Sequence, residues 1–231
     1  MMFRLQNVTK TYTRRAETVT AFQCDELEVA TGEYVAIVGP SGSGKTTLLS
    51  LLGGMLSPSS GRVWLGEHSL YDQPIAERAR LRRELMGFVF QTFNLVPYLT
   101  ALENVQVPLC LAALSASEQR DRATAMLERF GLGSRLHHKP NELSIGQQQR
   151  VALARTLVNN PRVILADEPT GNLDPDSRSL VLSALADCHR EGRTIVVVTH
   201  DPVAAQQAQR SLRLCDGKLG MVSDVSVARV A

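Results

Sequence analysis

Residues 2–8 alternate apolar and polar positions, and residues 19–29 are rich in Val, Phe and Leu, a pattern that predicts half-buried strands. Residues 34–38 form a short apolar run stopped by Gly39, which predicts a third strand. Helical spacing then governs residues 45–55. Strands are predicted over 62–65 and 87–90, on either side of an Arg-rich helical stretch at 76–86.

From about residue 92 to 160 the apolar spacing becomes helical, with helices predicted over 101–113, 117–130 and 145–159 and a break at Gly131-Leu-Gly133. Strand and helix alternate again afterwards: a strand at 163–166, a helix at 177–190, a strand at 194–198, and a closing hairpin turning at Asp216-Gly217. Strands that alternate with helices predict an α/β layered fold with a helical insertion.

Composition narrows this picture mainly by exclusion. The 231 residues suffice for a sizeable core, and 25 Lys plus Arg against 23 Asp plus Glu leave a formal charge of +2. So weak a field argues for neither nucleic acid nor anionic lipid as a partner. Cys24, Cys110, Cys188 and Cys215 show no paired spacing of the kind metal sites or redox dithiols need, and reduced, buried thiols are expected. The apolar run 105–114 is too short to span a bilayer and contains Pro108, so a membrane partner would have to be another chain. The opening residues lack the pattern of a signal peptide, which places the chain in the cytoplasm.

The chemistry begins at Gly39, Pro40, Ser41, Gly42, Ser43, Gly44, Lys45 and Thr46, followed by Thr47, between an apolar strand and a helix. In that context the G-x-x-x-x-G-K-[ST] pattern is a phosphate loop. Its glycines let backbone N–H groups converge on phosphate oxygens, and the helix N-terminus adds positive potential. Lys45 is placed to reach the β- and γ-phosphates of ATP, and Thr46 offers a hydroxyl to Mg²⁺. The loop requires an acidic partner at a strand end. Asp167 fills that place for Mg²⁺, with Glu168 beside it to polarise the attacking water. Adjacent carboxylates on a straight strand would point to opposite faces, so both reach the nucleotide only if the chain turns there, as Pro169 allows.

Between these motifs, Leu143-Ser-Ile-Gly-Gln-Gln-Gln-Arg150 resembles the signature sequence of ABC ATPases, 23 residues separating Ser144 from Asp167. The resemblance extends from Tyr12 to His200 and through the closing hairpin. It implies one domain over 1–231: a P-loop NTPase core with an antiparallel β subdomain, from 1–91 and 161–231, and an inserted α-helical subdomain at 92–160. It also implies roles. Tyr12 would stack on adenine, Gln91 would touch Mg²⁺ or the attacking water, and His200 would contact the γ-phosphate. Ser144, Gly146 and Gln147 would face the γ-phosphate held by a second copy, and Asp174 would lie in the loop crossing that dimer interface.

One position departs from the family pattern, which usually has Gly where this chain has Ile145. Its β-branched side chain is expected to turn away from phosphate.

The stretch Ala166-Asp-Glu-Pro-Thr-Gly-Asn-Leu-Asp174, with Leu52-Gly-Gly54 and Ala101-Leu-Glu-Asn-Val105, is similar to the branch of lipoprotein-releasing, macrolide-exporting and cell-division ATPases. What the resemblance implies is an ATP-hydrolysing subunit that dimerises on ATP and powers a separate membrane permease, docked along the insert from Gln91 to about Pro108. The alternative is a soluble ATPase of the same family acting on nucleic acid or ribosomes. Such proteins tend to carry two ATPase sets or a long coiled coil, and this sequence has one set and no sustained heptads.

Overall fold

The computed structural model describes residues 1–14, 17–171 and 173–221. Its ten strands form a single sheet in the order β5-β4-β1-β2-β10-β9-β3-β8-β7-β6. The strands are β1 (Phe3–Arg14), β2 (Glu17–Val29), β3 (Tyr34–Val38), β4 (Ser60–Leu65), β5 (His68–Ser69), β6 (Met86–Val89), β7 (Val163–Asp167), β8 (Thr194–Thr199), β9 (Arg210–Cys215) and β10 (Lys218–Met221).

Half of the sheet is parallel, with β3 between β9 and β8, and β7 and β6 beyond. Parallel strands covered on both faces read as continuous apolar runs, and β8, Thr-Ile-Val-Val-Val-Thr, is buried at every position. The other half, β5-β4-β1-β2, is antiparallel. The closing hairpin fuses the halves: β9 runs parallel to β3, while β10 meets β2 in parallel through Lys218 and Gln23. The expected antiparallel subdomain is therefore continuous with the core sheet. Alternating burial along β2 leaves one of its faces to solvent.

Helix α1 (Lys45–Leu52) leaves the phosphate loop and stops at Gly53 and Gly54, three residues short of the predicted end at 55. The remaining helices are α2 (Ile75–Leu85), α3 (Ala101–Gln106), α4 (Ala116–Arg129), α5 (Ile145–Leu157), α6 (Pro175–Arg190) and α7 (Pro202–Ala205). The helix predicted over 101–113 is cut at 106 because Pro108 cannot continue it, and a 3₁₀ turn, Val107–Leu109, follows. Three helices begin with reciprocal caps, Thr100 with Glu103, Ser115 with Glu118, and Ser144 with Gln147, which fixes where each starts.

The apolar residues fall into three clusters. One lies between α1 and the antiparallel strands, around Phe3, Phe22, Leu48 and Leu52. A second lies on the opposite sheet face beneath α5 and α6, around Tyr34, Leu153, Val181 and Leu185. The third belongs to the helical segment alone, around Val105, Leu109, Leu127 and Val151. The four cysteines are free, as expected, but only Cys24 and Cys188 are buried; Cys110 is exposed just past the 3₁₀ turn that Pro108 imposes.

Candidate functional site

A cleft of about 870 Å³ opens where the parallel strands end. Ligand sites of α/β sheets occupy this edge because loops and helix N-termini converge there. On one side it is lined by Pro40, Ser41, Gly42, Gly44, Lys45, Thr46 and Thr47, and on the other by Gln91, Asp167, Glu168 and His200.

The phosphate loop is held by backbone. Gly44, at φ +103°, is the N-cap of α1, and no side chain caps the helix, so its first N–H groups face the cleft without an intrahelical partner. A Cβ at Gly44 would sit 2.2 Å from the carbonyl oxygen of Ala21, and one at Gly39 would sit 2.1 Å from that of Leu214. Gly39 and Ser43 do not line the cleft. They form the underside of the loop, where the Ser43 carbonyl accepts from the Gly217 N–H at 3.1 Å and the Ser43 hydroxyl is buried with no partner among the described residues.

Lys45 is nearly buried, and its ammonium donates to the carbonyls of Gly39 and Pro40 at 2.8 and 2.9 Å. It also lies 3.4 Å from Glu168 Oε1. The Thr46 hydroxyl donates to Asp167 Oδ2 at 2.9 Å, so the two expected metal-binding oxygens meet. Burial, and after it the charge of Glu168, raise the Asp167 pKa, against the hydrogen bond from Thr46 and the charge of Lys45. A half-buried carboxylate beside an exposed hydroxyl offers hard oxygen donors that fit Mg²⁺.

The turn expected after Asp167 is present, and Glu168 itself makes it. Its φ of +45° is left-handed, its N–H donates to the Val198 carbonyl at 2.9 Å, and Gly171 closes the turn by donating to the Glu168 carbonyl at 3.0 Å. Glu168 Oε2 accepts from the Thr199 hydroxyl at 3.1 Å and from the His200 N–H at 3.1 Å, and lies 2.9 Å from His200 Nδ1. A carboxylate only accepts, so the ring proton belongs on Nδ1. Burial alone would raise the Glu168 pKa; the hydrogen bonds and charge of His200 and the Thr199 hydroxyl outweigh it and hold the carboxyl below its usual range. Gln91 packs against Gly171, where a Cβ would lie 3.2 Å from its Nε2.

Other expected residues lie apart. Tyr12 is exposed on β1, opposite Val19, with the Lys10 ammonium 5.1 Å from its ring; Val19 lines the cleft and Tyr12 does not. Ser144 caps α5 and Asp174 caps α6, accepting from the Ser177 N–H at 3.0 Å. A Cβ at Gly146 would lie 2.7 Å from Ser177 Oγ, so Gly146 brings these two helix ends together. Neither Ser144, Gly146, Gln147 nor Asp174 lines the cleft of its own chain. Ile145 is 61% exposed, clear of the core. Asn172 falls outside the described residues.

Sequence reasoning did not single out Thr199, or Asp216 and Gly217, as part of this site. Thr199 closes an all-apolar strand and is indistinguishable there from a core threonine. Asp216 and Gly217 line the cleft only because the last hairpin folds back beneath the phosphate loop.

The chain matches the family described as ABC transporter over residues 22–171. YvrO of Bacillus subtilis, an uncharacterized ABC transporter ATP-binding protein, is 46% identical over 94% of this chain and 95% of its own. The macrolide export ATP-binding/permease protein MacB of Escherichia coli is 46% identical over 94% of this chain but 34% of its own length, so the chain spans about a third of that relative. Among solved structures, the dimeric post-hydrolysis state of the ATP-binding cassette MJ0796 bound to ADP and Pi superposes with a TM-score of 0.88 at 43% identity, covering 96% of this chain and all of the other.

Proposed function

Because the chain belongs to the ABC transporter family and is an ATPase of its cassette type, we propose that it is the ATP-hydrolysing subunit that powers a separate membrane permease, working as an ATP-sandwich dimer. One observation carries the dimer. The phosphate loop, Asp167, Glu168 and His200 share a cleft that lacks Ser144, Gly146 and Gln147 of the same chain. Those residues form a helix N-terminus, which suits an anionic ligand. Two chains head to tail would supply each cleft with the other's α5. The MJ0796 cassette structures are dimeric, which supports a dimer for this chain.

Within the cleft, Lys45 would leave the carbonyls of Gly39 and Pro40 for the β- and γ-phosphates, adding charge neutralisation to the bare N–H groups of α1. Thr46 and Asp167, with Gln91, would hold Mg²⁺, which when bound draws charge from the phosphate oxygens. The carboxylate geometry supports Glu168 as the general base. Oε2 of Glu168 is occupied by its donors, whereas Oε1 faces Lys45. Drawing Lys45 onto phosphate leaves Oε1 to accept the proton of the attacking water. His200, anchored to Glu168 and 68% exposed in its side chain, would reach the γ-phosphate. Tyr12 would stack on adenine from the strand tip.

The segment 92–160 is proposed as a helical subdomain, and its own apolar cluster supports this. Between it and the core runs a second groove of about 530 Å³, where Phe90, Val107 and Leu111 are exposed beside Arg82 and Arg155. It adjoins the segment from Gln91 to Pro108 and is the proposed permease contact. No helix among the described residues is long and apolar enough to cross a membrane; as the partner of a permease, the chain would sit on the cytoplasmic face of the membrane. The proposed system is of the lipoprotein-release or macrolide- or peptide-export type, and the MacB relatives favour macrolide export among these. Light scattering of the hydrolysis-blocked Glu168→Gln chain tests the central claim: mass should double with ATP, and a strictly monomeric, nucleotide-loaded sample at high concentration refutes it.

A further inference from the structure

Helix α5 presents Gln149, Leu153 and Leu157 on one buried stripe, each four residues from the next. Leu153 and Leu157 belong to the core beneath the sheet. That spacing calls for an apolar residue at 149. The side chain found there is a carboxamide, 3% exposed. Its Nε2 donates to the Pro169 carbonyl at 3.3 Å, while its Oε1 is buried with no partner among the described residues. A leucine or methionine would fill the same space and leave the Pro169 carbonyl without a donor in place of the stranded Oε1, so the count of unpaired acceptors is even and folding alone does not favour glutamine here.

What Gln149 touches is the turn that carries Glu168. This turn is strained at Glu168, with φ +45°, and is tied to the β8 side by the Glu168 N–H to the Val198 carbonyl at 2.9 Å, by Glu168 Oε2 accepting from the Thr199 hydroxyl and the His200 N–H, and by the Thr170 hydroxyl to Asp201 Oδ2 at 3.0 Å. Gln149 ties its opposite flank to α5. That helix begins at Ser144, about 7.5 Å away along its axis, at the residues proposed to meet a terminal phosphate on the second copy.

We infer that Gln149 is a positioning residue, which couples the placement of helix α5 to the placement of the Glu168 carboxylate within one chain. A helix transmits displacement along its axis with little loss, and the Pro169 carbonyl is one residue from the catalytic carboxylate. Pressure of phosphate on the first turn of α5 in one cleft is thereby felt at the other cleft's Glu168. The inference rests on Glu168 being the general base.

The test compares the full chain with Gln149→Leu, Gln149→Met, Glu168→Gln and the Glu168→Gln/Gln149→Leu double variant. Melting temperature, equilibrium ATP affinity, KM and kcat are read for each. Gln149→Leu should melt within a few degrees of the parent, because one stranded acceptor replaces another, bind ATP with unchanged affinity and keep KM within about twofold, yet lose roughly 10- to 100-fold in kcat, as misplacement of a reacting group does. In the Glu168→Gln background the same substitution should change the residual rate no further. Full kcat in a stably folded leucine variant overturns the coupling, as does an undiminished further loss in the double variant. Should leucine prevent folding, methionine, unbranched and adaptable, reads the same quantities. Near-normal turnover in Glu168→Gln alone would instead overturn the general-base assignment, and the coupling with it.

Discussion

Replacing Glu168 by Gln exchanges one oxygen for an NH₂ group in a fixed frame. The amide oxygen can take the place of Oε2 and keep the bonds from Thr199 and His200, which directs the NH₂ toward Lys45, where Oε1 lay 3.4 Å from the ammonium. Lys45 loses an ion-pair partner but retains the Gly39 and Pro40 carbonyls. The carboxylate is itself largely buried, so its removal also relieves a desolvation penalty. The net loss of stability should be about 1–2 kcal/mol, less than for stranding a buried charge, or roughly 2–8 °C in melting temperature for a chain of this size.

Hydrolysis should fall far more, because an amide cannot take the proton: about 10²- to 10⁴-fold, equivalent to about 3–5 kcal/mol of barrier. Glu168→Ala provides the comparison. It removes the acceptor from the buried Thr199 hydroxyl and should melt lower than the glutamine variant by a further 1–3 kcal/mol or so. Single-turnover hydrolysis of bound ATP, with thermal melts of both variants, measures the two effects. Near-normal turnover in Glu168→Gln would refute the assignment of the base. An alanine variant as stable as the parent would refute the anchoring of Oε2.

Gly44→Ala forces a Cβ to 2.2 Å from the Ala21 carbonyl at a φ of +103°; a stability loss of at least about 2 kcal/mol and markedly weaker nucleotide binding are expected, checked by melting and ATP titration, and parent-like values would contradict the loop geometry. Ile145→Gly removes an exposed side chain at the start of α5 and should cost only about 0.5 kcal/mol in helix propensity, with ATPase activity within a few-fold. A rise of orders of magnitude would mean that Ile145 cripples the site.

Much of the site was legible because its chemistry is local. The phosphate loop is an uninterrupted stretch whose glycines, lysine and threonine have separate physical duties. The central strands β3, β7 and β8 announced themselves as apolar runs, since strands covered on both faces tolerate little else. Short elements escaped. The two-residue β5 and the four-residue α7 are too brief to show a period, and α3 ends early because Pro108 overrides an apolar spacing that continues past it. Gln149 lies within the signature stretch, yet only its burial shows that a polar residue occupies a core position.

The sequence by itself determined the cassette class, the order of the longer strands and helices, and the position of the phosphate loop, because each is encoded by neighbours within a few positions. The tertiary structure decided which distant groups share a cleft. It placed the Thr199 hydroxyl and His200 on one oxygen of Glu168, brought Asp216 and Gly217 beneath the phosphate loop, and kept Ser144 and Gly146 out of their own chain's cleft. Such arrangements depend on strand order and loop closure over tens to hundreds of residues, to which no local pattern of side chains is sensitive.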